Sequence, residues 1–172
     1  KPSLREQVMA GYRRGTSVEG SELATGSSLL GRLQAPASPC AANLDADADY
    51  KPLETELYRI DTETGATIRL TQRSGPDRAP AVSPDGRHVA YVGFDDRKLG
   101  YQNSQLSVLD LASGTSRVLS AALDRSAEAP EWDGNEAIVF EYEDRGSTAV
   151  ARVAATGGAI RILATDLGGT AM

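Results

Sequence analysis

Leu57-Tyr58-Arg59-Ile60-Asp61, a turn ending at Gly65, then Ile68-Arg69-Leu70-Thr71 recurs as Leu106-Ser107-Val108-Leu109-Asp110, a turn ending at Gly114, then Arg117-Val118-Leu119-Ser120. From Gly65 to Gly114 the offset is 49 residues. A fainter copy runs from Val150 to Val153, through Gly158, and on to 160–163, with an offset of 44 from Gly114 to Gly158. Between the copies, Ala79-Pro80-Ala81-Val82 is answered by Ala129-Pro130-Glu131-Trp132. Self-similarity with a period in the forties, written in short strands and Gly turns, is the mark of β-propeller blades, each a four-stranded antiparallel sheet.

Working outward, the pattern predicts strands at 56–61, 67–72, 79–83, 87–94, 104–110, 116–120, 129–132, 136–142, 148–153 and 159–164. Turn residues bound each one. Ser83-Pro84-Asp85-Gly86 has Pro preset for the second turn position, and Thr64-Gly65, Ser113-Gly114 and Gly157-Gly158 mark reversals. Val89-Ala90-Tyr91-Val92 and Ala137-Ile138-Val139-Phe140 read as strands buried on both faces, between neighbouring sheets. Grouped in fours, the strands make one blade at 79–120 and another at 129–164, with the hairpin 56–72 as the outer half of a preceding blade. The expected fold is therefore all-β: a partial propeller over 55–172 of about two and a half blades, where closed rings take about four to eight. An open arc leaves faces and edges that another polypeptide, or further blades, must cover.

Residues 1–54 are rich in Gly, Ser, Ala and Pro and keep no sustained period, so they read as an irregular or degenerate N-terminal segment. Leu4, Val8 and Tyr12 give residues 3–12 weak helical spacing, and 26–33 could hold a short element. The net charge of −6, with acids and bases interspersed, argues against nucleic-acid binding, which needs a basic face. No run of 18 apolar residues predicts a membrane-spanning helix. Cys40 is the only cysteine, so no internal disulfide can form, and in its polar, Pro-flanked setting it reads as incidental.

Gly75-Pro76-Asp77-Arg78, Ser83-Pro84-Asp85-Gly86, Tyr91-Val92-Gly93-Phe94-Asp95-Asp96-Arg97 and Gly100-Tyr101-Gln102 resemble the propeller of bacterial prolyl-oligopeptidase-family serine peptidases, the acylaminoacyl-peptidase-like members above all. Leu123-Asp124-Arg125, Tyr142-Glu143-Asp144-Arg145-Gly146 and Asp166-Leu167-Gly168-Gly169 extend the resemblance over about 56–169. TolB-type and other WD-like propellers share the Ser-Pro-Asp-Gly turn. The resemblance implies a propeller that caps an α/β-hydrolase domain and filters peptides, with a periplasmic or cytoplasmic location left open. No G-x-S-x-G nucleophile elbow occurs in these 172 residues, and His88, the single histidine, matches no triad position. No catalytic residue therefore carries over, no cofactor or metal is implied, and hydrolysis would need a domain outside this numbering. The alternative is a TolB-like module that binds a protein partner without catalysis.

Propeller topology brings the second-to-third-strand loop and the blade-to-blade loop to one face. Asp95, Asp96, Arg97, Tyr101 and Gln102 should meet Asp124 and Arg125 there, together with Glu143, Asp144 and Arg145. Such a face could meet the hydrolase domain or an incoming peptide, with Arg placed for carboxylates. Equally, the Asp-Arg pairs could tie adjacent blades together. Asp45, Asp47, Asp49 and Glu56 imitate calcium-loop spacing, but Tyr50 stands where Gly is needed, so the stretch reads as an acidic linker. Trp132 reads as core packing, His88 as structural or exposed, and Asp61 and Asp110 as acceptors for turn backbone.

Overall fold

In the computed structural model of the chain, residues 37–168 are described. The segments 3–12 and 26–33 lie outside them. Among the described residues, eleven strands run β1 Ala37–Ala42, β2 Glu56–Asp61, β3 Thr67–Arg69, β4 Asp77–Val82, β5 His88–Gly93, β6 Gln105–Asp110, β7 Ser116–Val118, β8 Ala127–Asp133, β9 Ala137–Asp144, β10 Ser147–Ala154 and β11 Arg161–Leu167. They form three antiparallel sheets, ordered β1-β2-β3, β4-β5-β6-β7 and β8-β9-β10-β11. The architecture is a partial β-propeller.

The strand not anticipated is β1, which pairs with β2 in unbroken register from Ala37–Asp61 to Ala42–Glu56. Its sequence, Ala-Ser-Pro-Cys-Ala-Ala, lacks both the β-branched residues and the alternation that flag a strand. A 3-10 turn at Ala48–Tyr50 follows it. The expected hairpin 56–72 is thus part of a three-stranded sheet.

Sheet stacking follows from the period-2 alternation of β5. Val89 and Tyr91 turn one way, packing with Leu57 and Leu109 between the first and second sheets. Ala90 and Val92 turn the other way, into a larger cluster with Leu106, Val108, Ile138 and Phe140 between the second and third. β5 is buried from Val89 to Gly93, as a strand with sheets on both sides must be. β9 differs: Val139 is only half-buried, because no described sheet covers the far face of the third.

The repeated Ala-Pro pair has a local cause. In the innermost strand of both complete sheets the register slips, between Arg78 and Ala81 and between Glu128 and Glu131. Ala79 and Ala129 take positive φ at these bulges, 49° and 44°. A bulge leaves a residue out of the ladder, which is where a proline without an N–H can sit.

Candidate functional site

The loop between β5 and β6 spans 94–104, whereas β9 and β10 are joined by Arg145-Gly146 alone. Arg145 and Gly146 both carry positive φ, as a two-residue hairpin turn of this kind requires. The longer loop is fastened at both ends. Asp96 N donates to the Ser74 carbonyl (2.8 Å) and Arg97 N to Gln102 Oε1 (2.9 Å). The Asp96 carboxylate accepts from Lys98 N (2.8 Å) and Gln102 Nε2 (3.4 Å) and pairs with Lys98 Nζ. Those contacts, the Lys98 ammonium first, hold its carboxyl below the usual carboxylate range. Gly75, at φ 120°, is where the linker passes under the loop: a Cβ there would run into the Phe94 carbonyl oxygen. The fastened loop leaves Leu99 and Tyr101 at 60% and 77% exposure.

The neighbouring linker joins this loop through Asn103 Nδ2, which donates to Asp124 Oδ1 (3.1 Å), and Ser104 N, which donates to Ser126 Oγ (3.2 Å). Arg125 donates from Nε (3.1 Å) and Nη2 (2.9 Å) to Asp144 Oδ1. One repeat earlier, Arg73 Nη1 lies 3.6 Å from Asp95. In both places an Arg of the incoming linker reaches an Asp at or just beyond the end of the second strand, but from different repeat positions: Arg73 four residues before β4, Arg125 two before β8. Glu143 and Arg145 are exposed on the β9–β10 side of the same region.

A buried polar cluster beneath this loop region escaped sequence reading. Glu56, 1% exposed, accepts from Thr71 Oγ1 and Arg69 Nη2 (2.6 Å each) and from Arg73 N (3.0 Å). Asp77, fully buried, is 2.5 Å from Arg73 Nη2, and burial pushes its carboxyl up against the opposing pull of that guanidinium. The Arg73 guanidinium also sits over the Tyr91 ring, 5.8 Å from its centroid. Glu56 and Asp77 each occur in one copy of the repeat only, so periodicity gave no signal for them.

The remaining singled-out residues have defined places. Asp61 Oδ1 accepts from Glu63 N (3.0 Å) and Thr64 N (2.8 Å), and Asp110 Oδ1 from Ala112 N (2.9 Å) and Ser113 N (2.8 Å), the same backbone-capping geometry twice. Trp132 packs on the larger core cluster and donates from Nε1 to the Ala81 carbonyl (2.8 Å), stitching β8 to β4. His88 tilts against Trp132 with centroids 6.1 Å apart, and its Nε2 is 3.6 Å from Asp110. Asp47 is paired with Lys51 at 2.9 Å, and the Glu56 carboxylate is spent inside the first sheet. Cys40 is half-buried, and burial raises its thiol pKa.

No protein-family model matches the chain. It is similar to dipeptidyl-peptidase 5 of Schizosaccharomyces pombe, 24% identical over 134 residues, covering 69% of this chain and 19% of that protein. It is also similar to the Tol-Pal system protein TolB of Actinobacillus succinogenes, 46% identical over 66 residues, covering 38% of this chain and 14% of that one. Among solved structures, TolB from Acinetobacter baumannii aligns with a TM-score of 0.55 at 18% identity, over 73% of this chain and 31% of that chain. The chain therefore spans a fifth or less of the curated relatives' length. The structural likeness supports the propeller fold; the sequence likenesses are to a dipeptidyl-peptidase and to TolB alike.

Proposed function

We propose that the chain is the non-catalytic propeller portion of a prolyl-oligopeptidase-like serine peptidase, acting as lid and substrate filter. The surface used is the polar one built by Asp95, Arg97, Tyr101, Asp124, Arg125, Asp144 and Arg145, with Asp96 and Gln102 as its internal struts. It faces either the hydrolase domain or the incoming peptide. The observation that carries this reading is the fastened 94–104 loop, which holds Tyr101 and the Arg97 side chain out in solvent. Aromatic and Arg side chains on a preorganised loop are the residue types that anchor polypeptide contacts. The likeness to dipeptidyl-peptidase 5, which runs over 134 residues, supports it. Peptide-bond hydrolysis would then proceed by an acyl-enzyme on a nucleophile outside these 172 residues.

The test uses the native polypeptide that contains this sequence. A serine-directed fluorophosphonate should label it, and Arg97→Ala should raise KM for peptides with stability unchanged. Absence of labelling together with no peptidase activity overturns the reading. The second reading, a TolB-like protein-binding module without catalysis, is favoured by the 46% identity to TolB over 66 residues. A parent reading frame that carries further propeller repeats and no G-x-S-x-G elbow would select it.

A further inference from the structure

The repeat allows the contact between the first and second sheets to be compared, position by position, with that between the second and third. Tyr91 pairs with Ser107 across β5 and β6, and one repeat later Phe140 pairs with Ala151 across β9 and β10. Asp77 opposes Gly93 at the start of β4, as Ala127 opposes Tyr142 at the start of β8. Counted back from those two residues, Arg73 corresponds to Leu123. Between the second and third sheets, Leu123, Ala127, Phe140 and Ala151 all belong to or pack on one apolar core. Between the first and second sheets, Arg73, Asp77, Tyr91 and Ser107 line a cavity of about 530 Å³.

This fold therefore makes the same sheet-to-sheet contact without any of that polarity, and the polar version is the costly one. Asp77 is 0% exposed, Ser107 1% and Tyr91 2%. Beyond the Arg73 Nη2–Asp77 Oδ1 ion pair, Asp77 Oδ2, Ser107 Oγ and Arg73 Nε have no hydrogen-bond partner among the described residues. An unpaired buried polar group is destabilising, and a buried ion pair is often matched or bettered by apolar packing.

We infer that this cavity binds a small neutral polyhydroxylated molecule, of the chemical class of monosaccharides and cyclitols. Charge excludes the simpler ligands. Arg69 is paired with Glu56 at 2.6 Å and Arg73 with Asp77 at 2.5 Å, so the site carries no net formal charge. An anion or a cation would enter uncompensated. What remains unsatisfied is an acceptor, Asp77, beside a donor, Arg73 Nε, with the Ser107 hydroxyl able to play either part. Vicinal hydroxyls donate and accept on adjacent atoms, so one diol answers both needs; a lone ammonium or carboxylate answers one. Leu70 and Val118 add apolar wall for the C–H face of a ring. The volume falls within the ~300–1,000 Å³ of small-molecule sites. Ser116 on the exposed β7 rim opens the cavity to solvent, which is the competing occupant.

The inference does not rest on the peptidase reading, and its test needs no catalysis. Amide shifts of the 172-residue chain are followed while glucose, galactose or myo-inositol is titrated to about 100 mM, enough to saturate a millimolar site. Glycine and inorganic phosphate serve as charged controls. At least one polyol should shift the amides of Ser107, Ser116 and Thr71 saturably. Ser116→Trp, which plugs the rim from the exposed side, should weaken that binding at least tenfold. The combined change R73L/D77A/Y91F/S107A, copied from the neighbouring interface, should abolish it; if that variant does not fold, Ser116→Trp decides alone. Absence of saturable shifts with every polyol, tighter binding of phosphate or glycine, or binding unaffected by Ser116→Trp each overturns the inference.

Discussion

A Cβ on Gly93 would collide with the Pro76 carbonyl oxygen and the Arg73 guanidinium and come within 2.6 Å of Asp77 Oδ1. Gly93→Ala should therefore cost about 3 kcal/mol in urea denaturation, through overpacking and disturbance of the buried ion pair. In the next sheet Tyr142 stands at the matching position, opposite Ala127. The carboxylates split into two groups by cause. Backbone N–H donors at the turns hold Asp61 and Asp110 below the usual carboxylate range, and the Lys98 contact does so for Asp96. Their contribution to stability is present above the unfolded value of ~4 and is lost as pH falls through the lowered folded values. Asp77 has the opposite sign: burial raises it, so its contribution is present below ~4 and is lost as pH rises through the folded value. The chain should lose thermal stability on acidification below about pH 4, and Asp77→Asn should steepen that loss. A variant whose melting temperature falls less than the parent's between neutral and acid pH would show the Asp77 assignment wrong. Asp61 and Asp110 were legible because the repeat printed them twice, each just before a turn. Asp77 was not, because nothing local tells a buried aspartate from an exposed one.

β3 and β7 end at Arg69 and Val118, short of the expected 72 and 120. The reason is the same in both sheets. Leu70 N and Leu119 N still reach the Leu57 and Leu106 carbonyls, at 2.7 and 2.8 Å. The next contact is then made by a side chain: Leu57 N donates to Thr71 Oγ1 (2.9 Å) and Leu106 N to Ser120 Oγ (2.8 Å). A hydroxyl thus replaces a backbone carbonyl, and the strand turns away towards the next sheet. Removing that hydroxyl by Ser120→Ala leaves a buried N–H unpaired and should cost ~1–3 kcal/mol by chemical denaturation. The bulges of β4 and β8 offer the reverse change. Ala129 at φ 44° occupies a conformation that penalises a Cβ by ~1–2 kcal/mol, partly offset by the entropy of glycine. Ala129→Gly should leave stability equal or raise it by up to about 1 kcal/mol, and a clear loss would mean that the bulge is not strained. Strand number and order from Glu56 onward were readable from Gly turns and alternation. β1 was not, since its sequence carries neither β-branched residues nor alternation.

Each sheet depends on its neighbour, as in other repeat architectures where stability sums intrinsic and interface terms. Phe140, between the second and third sheets, is the largest fully buried side chain of that interface. Phe140→Ala should cost ~3–5 kcal/mol, with a loss of cooperativity if the third sheet then melts separately. A single transition with a loss below about 1 kcal/mol would mean that the sheets do not lean on one another. By itself the amino-acid sequence determined the repeat, the turn chemistry and the two-faced burial of β5, because all three follow from periods of 2 and of about 49 residues that any local reading can count. Only the tertiary structure decided that the first inter-sheet contact carries a polar cavity beside its apolar cluster while the second is one apolar core. The same decision made Arg73 a buried partner of Asp77 and Arg125 a surface brace for Asp144. Which side chain meets which across a gap is fixed by the stacking of sheets whose residues lie far apart in the chain, and no local pattern carries that information.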